Sequence, residues 1–308
     1  MLVYLLLAAS ILFALTSLLF VWKASQKLIA KSWSTNLLAI SIAVFIYLYG
    51  TWVYLSVYTK YVFGVLFLLI LLMGFAKKKK EIGNMQKWKV IPNLIFSVLF
   101  ISLSVLYFTG TTGKPETVAL PFPLKKDNYF ILQGGKGLPS NFFHYSYRGA
   151  IYAIDIVRLN NFGNRANKIF SSRLEDYHIY NDTIFSPCNG IITRARDENP
   201  DNIPPDRTRG PSNTNSVVIE TDSFYVFMAH LKYKGVFVLE GDIVKTGQPI
   251  GLVGNSGFTL EPHLHIQAHK NTGKDGWYRE DPLYIEFDGR SYLLFETIRP
   301  KRVRMVEE

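Results

Sequence analysis

Residues 254–267 read Gly-Asn-Ser-Gly-Phe-Thr-Leu-Glu-Pro-His-Leu-His-Ile-Gln, and the close of this stretch, Pro262-His263-Leu264-His265-Ile266-Gln267, decides what kind of domain the chain carries. In an extended strand, residues i and i+2 share a face. His263 and His265 then present two imidazoles side by side while Leu264 turns the other way into a core. The chain has six histidines in 308 residues. A strand that spends two of them on one face invites a site, against the plain alternative of two structural histidines. Just ahead, Gly251, Gly254 and Gly257 recur every third residue. No strand-then-helix context follows, so this is not a dinucleotide fingerprint, and the glycines serve turns and close backbone approach.

Working outward, the neighbouring sequence is a series of short β-rich runs bounded by Gly, Asn, Pro and Asp. They are 129–132, 151–157, 190–194, 216–220, 224–230, 235–238, 249–253 and 263–268. No long stretch has helical periodicity, and many short strands at this spacing predict an antiparallel β-sandwich or partly open barrel. Glu240-Gly241-Asp242 reads as a turn, and the Asp-, Asn-, Pro- and Arg-rich stretch 197–215 as an exposed loop. Gly-Thr-Thr-Gly-Lys-Pro at 110–115 opens a linker taken to cover 110–127, which leaves 128–308 as the β domain.

Residues 1–109 differ in kind. Four apolar runs, 2–22, 36–58, 61–76 and 90–109, predict a four-helix transmembrane segment, because a crossing helix needs about 20 apolar residues. A cleaved leader would explain the first run alone. Lys23, Lys27 and Lys31 lie between the first two runs, and Lys77 to Lys80, Lys87 and Lys89 between the last two. Thr59 and Lys60 join the middle pair. The lysine-rich loops mark the cytoplasmic side. A multi-pass cell-membrane protein follows, with both termini and the C-terminal domain extracytoplasmic. The runs contain no Asp, Glu, His or Arg, which favours an anchor in the lipid bilayer over a transporter.

The net charge of +10 belongs to the anchor: residues 1–109 hold ten lysines, no arginine and one acid, while residues 110–308 are nearly balanced. The β half has no basic block, so nucleic acid is excluded as a partner. The single cysteine, Cys188, permits no intrachain disulfide and reads as a small buried hydrophobe rather than a nucleophile.

Two more residues belong with the histidine pair. Asp155, in Tyr152-Ala153-Ile154-Asp155-Ile156-Val157, is an acid inside an apolar strand, which costs free energy unless it is paired or ligates a cation. His230 ends the run that begins at Phe224. Asp155, His230, His263 and His265 supply carboxylate and imidazole without thiolate. Zn2+ suits such a set, and a catalytic site keeps one position open for water. The residues alone do not settle which histidine ligates. His178 and His269 have no motif support and read as surface or structural residues.

Ser186-Pro187-Cys188-Asn189-Gly190, Met228-Ala229-His230-Leu231, Glu240-Gly241-Asp242 through Gly247, and Gly254-Asn255-Ser256-Gly257 through Pro262-His263-Leu264-His265 together resemble the lysostaphin-like (LytM-type) zinc endopeptidases that cut peptidoglycan peptides. The resemblance covers roughly residues 128–288. It implies that Asp155 and His265 bind zinc and that His230 and His263 flank the attacking water as catalytic residues. The family usually places its first zinc histidine four residues before the aspartate, where this chain has Ile151. The nearest upstream replacement is His144, in Asn141-Phe142-Phe143-His144, downstream of Gln133-Gly134-Gly135, an arrangement that resembles a subset of the family. Two functions are expected in turn: a membrane-anchored zinc metalloendopeptidase acting on peptidoglycan, or a degenerate, non-catalytic domain that binds cell wall or regulates a partner hydrolase.

Overall fold

The computed structural model describes residues 2–26, 29–76, 87–206, 210–274 and 276–300. It divides into two units, Met1–Phe108 and Thr109–Glu308.

The first unit is built of α1 (Leu2–Ser25), α2 (Ile29–Tyr49), α3 (Val57–Ala76) and α4 (Val90–Thr109). All four helices are long and apolar enough to cross a membrane. Small buried residues, Ala14, Ala24, Ala39 and Ala43, let the helices approach, with Val21, Ile46 and Phe63 filling the seam. Asn93 on α4 donates to the hydroxyls of Ser34 and Thr35 on α2, and the Tyr49 hydroxyl donates to the Leu103 carbonyl.

Two sequence boundaries are corrected here. The second apolar run, 36–58, is not one helix: α2 stops at Tyr49, and Val57 and Tyr58 already belong to α3. Apolarity alone does not register the turn at Gly50, where a Cβ would stand 2.6 Å from the Trp52 ring. Thr59 and Lys60 therefore lie inside α3, and residues 50–56 make the connection. Lys27 and Lys77 to Lys80, which carry much of the orientation reading, lie outside the described residues.

The second unit is mainly β. Its elements are β1 (Thr117–Leu120), β2 (Asn128–Gln133), the one-turn α5 (Phe142–Tyr145), β3 (Ile154–Leu159), β4 (Thr183–Phe185), β5 (Gly190–Arg196), β6 (Ser216–Glu220), β7 (Phe224–Ala229), β8 (Leu231–Val236), β9 (Ile243–Val244), β10 (Pro249–Val253), β11 (Leu264–Lys270), β12 (Pro282–Phe287) and β13 (Thr297–Ile298). A ten-stranded sheet runs β13-β2-β3-β11-β7-β6-β5-β9, with β12 pairing to β11 and β1 to β12. A three-stranded sheet runs β4-β10-β8. Every pairing is antiparallel except β1 with β12. One apolar core receives Ile131, Ile156, Val217, Val226, Met228, Leu264 and Ile266 among others.

The segment 110–127 is corrected from linker to part of this unit. Val118, Leu120, Phe122 and Leu124 alternate at the strand period and are buried in the core. The Phe122 ring lies 5.3 Å from Tyr129 and 5.1 Å from Phe287. Only residues 110–115 have linker composition; the alternation behind them was hidden by Pro121 and Pro123. Several strand ends also shift: residues 151–153 precede β3, His230 follows β7, the run 235–238 gives way to β8 at Leu231–Val236, and His263 stands one residue before β11.

Candidate metal centre

The site is assembled at the middle of the large sheet, where β11 runs between β3 and β7. The register pairs His265 directly with Asp155 on one side and with Ala229 on the other. Leu264, Ile266 and Ala268 turn into the core, so His265, Gln267 and His269 share the opposite face. His265 Nδ1 lies 2.9 Å from Asp155 Oδ1, and both side chains are buried.

His144 reaches the same carboxylate from outside the strands. The one-turn α5 places its Nε2 3.3 Å from Asp155 Oδ2, with the residue 9% exposed. Asn141 holds the segment. Its Nδ2 donates to the carbonyls of Ile151 and Ala153, so its Oδ1 can only accept, and it accepts from His144 Nδ1 at 2.9 Å. Ile151, at the position four before Asp155, thus contributes its carbonyl to the anchoring of His144. One nitrogen from each of His144 and His265 and one oxygen of Asp155 lie within 4.8 Å of one another.

His230 and His263 form a second pair beside this trio, their ring centroids 4.6 Å apart. His263 Nε2 is 3.5 Å from Asp155 Oδ1. His230 sits between β7 and β8 with φ 63°, a left-handed turn that histidine adopts more readily than most side chains. Its Nδ1 donates to the Ser256 carbonyl at 2.8 Å, and His263 Nδ1 to the Glu261 carbonyl at 2.8 Å. Ser256 is fixed in turn: its Oγ donates to the Leu231 carbonyl and accepts from the Asn215 amide. Gly257 closes this loop at φ +81°, where a Cβ would collide with Thr214. Glu261 is held by a buried two-point pairing with the Arg165 guanidinium.

His265 Nε2 lies 2.9 Å from Gln267 Oε1, so each of the four rings has one nitrogen bound to a protein group outside the site. His144, His230 and His263 keep Nε2 for the site, and His265 keeps Nδ1. With the rings neutral, these nitrogens and the Asp155 carboxylate are acceptors facing one another, an arrangement that calls for protons or a metal cation among them. Gln133, opposite Asp155 in β2, adds an Oε1 that is buried without a hydrogen-bond partner among the described residues. Two imidazoles and a carboxylate with no thiolate fit zinc by donor chemistry. Cys188 is buried elsewhere in the core, and burial pushes its thiol up to about 12.

The electrostatics agree with this frame. Burial alone would raise Asp155, but the His144 and His263 rings and the hydrogen bonds from His144 and His265 hold its carboxyl well below the usual range. Burial pushes His144 down, and the Asp155 carboxylate outweighs it and raises the ring above its ordinary value. His230 is held well below the ordinary histidine value by burial and by His263 and His265. Burial also lowers His269 and, with Arg158, His178.

These directions set the pH response of the metal-free protein. A histidine lowered in the fold gains its proton on unfolding, so its stabilisation is full above about pH 6.5 and is lost as pH falls toward the folded value. His144 acts with the opposite sign, its contribution full below about pH 6.5 and lost as pH rises through its raised value. Three lowered histidines oppose one, with His230 shifted furthest, so the histidines take stability from the metal-free protein on acidification from about pH 7 to about pH 5, while the buried Asp182 and Asp201, raised by burial, act the other way; the histidine contribution is expected to win. Thermal unfolding of the β unit, followed across that range, checks this; a midpoint that climbs with acidification would contradict it.

Residues 176–275 match the profile of Peptidase family M23. That segment is similar to the M23 peptidases. No curated protein matches the chain. Among solved structures, lysostaphin from Staphylococcus simulans is 22% identical, over 46% of this chain and 43% of that one, with a TM-score of 0.28. The chain thus spans less than half of that protein's length. A catalytic-domain mutant of the prophage-encoded M23 protein EnpA from Enterococcus faecalis is 17% identical, over 55% and 92%, with a TM-score of 0.29. A zinc-containing peptidase from Vibrio cholerae is 20% identical, over 42% and 48%, with a TM-score of 0.24.

The M23 match contains His230, His263 and His265 but begins after His144 and Asp155. The remaining groups of the candidate site come from upstream of the matched segment, through β3 and α5. Sequence reasoning singled out all five side chains that meet here. It missed their holders, Asn141, Ser256, Glu261 and Gln267. A period-2 signal did exist for one of them, since Gln267 follows His265 on the same strand face and His269 follows Gln267.

Proposed function

We propose that the chain is a membrane-anchored zinc metalloendopeptidase that hydrolyses peptide bonds in peptidoglycan. The observation that carries this reading is the convergence of His144, Asp155 and His265, with the His230–His263 pair alongside. Asp155, His265 and His144 would hold the metal. Bound there, zinc supplies Lewis acidity toward a water and toward the scissile carbonyl.

The chain's own residues supply the proton work. His230 is neutral near neutral pH because of its burial and its histidine neighbours, so its Nε2 can accept a proton from the attacking water. The Ser256 and Glu261 carbonyls take the Nδ1 hydrogens, which leaves both Nε2 atoms turned inward. Once protonated, either ring can donate to the developing oxyanion or hand the proton to the leaving amine. The four apolar helices anchor the domain, with the lysine-rich loops on the cytoplasmic side and the peptidase domain outside, where peptidoglycan lies.

The test is release of new amino groups from purified peptidoglycan by the full chain in detergent. The reaction is expected on zinc addition and is expected to stop with a chelator. Ile151 in place of a ligand motivates the second reading, a degenerate domain that binds cell wall. Peptidoglycan binding without amine release at saturating zinc would favour that reading.

A further inference from the structure

The face of β11 that carries His265 continues as Gln267 and His269, and these two residues are hydrogen-bonded in series behind it. His265 Nε2 is 2.9 Å from Gln267 Oε1, Gln267 Nε2 is 2.8 Å from His269 Nε2, and His269 Nδ1 is 2.9 Å from the Glu280 carbonyl. Gln267 is 7% exposed and His269 fully buried, so an unmade hydrogen bond here carries its full desolvation cost.

The direction of every hydrogen in this series is fixed from its far end. The Glu280 carbonyl can only accept, so His269 carries its hydrogen on Nδ1. Burial keeps that ring neutral, so His269 Nε2 is an acceptor. Gln267 must then turn its NH2 group toward His269, and the Gly149 carbonyl, 3.4 Å away, takes the second amide hydrogen. The Gln267 oxygen is left facing His265, whose Nε2 must donate to it. His265 Nδ1 then carries a lone pair, and that lone pair points at Asp155.

We infer that Gln267 and His269 are positioning residues that lock His265 as an Nδ1 metal ligand, by a hydrogen-bond relay anchored on the Glu280 carbonyl. The inference rests on the metal site proposed above. It adds that the ring's ligating nitrogen is chosen by residues that touch neither metal nor substrate. Outer partners of ligating histidines fix the tautomer and ring orientation, and losing one typically weakens metal binding about 10–100-fold.

The test is the zinc dissociation constant of the full chain in detergent, measured by competition with a chromophoric chelator. Gln267→Met keeps the volume and apolar packing but removes the acceptor, and is expected to weaken zinc about 10–100-fold. Gln267→Glu keeps an acceptor at His265 Nε2 while losing the donor to His269, and is expected to hold zinc more tightly than Gln267→Met. A purely structural role for Gln267 predicts the reverse order, since Met is tolerated in a core and a buried carboxylate is not. That reverse order overturns the relay. A readout independent of metal is the ring nitrogen spectrum of His269 in metal-free parent protein. A hydrogen on Nδ1 supports the relay, and a hydrogen on Nε2 overturns it. If the parent chain binds no zinc, the proposed function fails, and the His269 spectrum still decides the relay.

Discussion

His144→Ala is expected to weaken zinc binding by the full chain by at least about a hundredfold, an effect larger than the loss of an outer partner. Histidine in place of Ile151 would have put the third ligand on the approach to β3. Here the donor arrives instead on a one-turn helix held by Asn141, whose two amide hydrogens go to the Ile151 and Ala153 carbonyls. Removing the His144 ring leaves one imidazole and one carboxylate, a weak pair for zinc where protein sites ordinarily supply three or four donors. His144 faces Asp155 Oδ2, while His263 and His265 face Oδ1. The substitution therefore leaves one carboxylate oxygen without its partner ring. Zinc titration of the purified chain before and after the substitution measures the change. Stoichiometric binding retained at unchanged affinity would remove His144 from the site.

The second large effect falls on the rate. His230→Gln and His263→Gln are each expected to lower kcat for peptidoglycan hydrolysis by about 10²–10⁴, with zinc stoichiometry unchanged. Both rings have Nδ1 committed to a backbone carbonyl and Nε2 turned to the site, so both are placed to move the same protons. Groups that act as a unit lose little more when both are removed. The double variant is therefore expected to be nearly as active as the worse single variant. Amine release under saturating zinc gives the comparison. Full activity in either single variant would take that ring out of the proton path, and losses that multiply in the double variant would mean that the rings act separately.

Much of this site was legible because strand geometry is simple. The i, i+2 spacing of His263 and His265 and the isolated acid in the apolar run around Asp155 survive any uncertainty about which strands pair. The β11–β3 register then makes Asp155 and His265 neighbours. His144 was nameable only as the nearest upstream histidine in an arrangement that resembles a subset of the family, since nothing local to Phe142-Phe143-His144 says that a turn of helix folds it back. The holders were invisible for a related reason: Ser256 and Glu261 act through their carbonyls, which any residue type could supply. In the fold, β1 was lost inside an apparent linker because Pro121 and Pro123 break the run that Val118 to Leu124 completes. The short strand β13 is two residues long and pairs far across the sequence with β2, beyond what local pattern carries. The second helix boundary failed because hydropathy does not distinguish the Gly50 turn from the helices around it.

Asp155, His265 and His144 as the metal's protein ligands is the claim on which the rest depends. X-ray absorption at the zinc edge of the loaded full chain tests it most directly. The expected spectrum shows two imidazoles and additional oxygen at about 2.0–2.1 Å, with no sulfur at about 2.3 Å. A single imidazole, or scattering from sulfur, would contradict it.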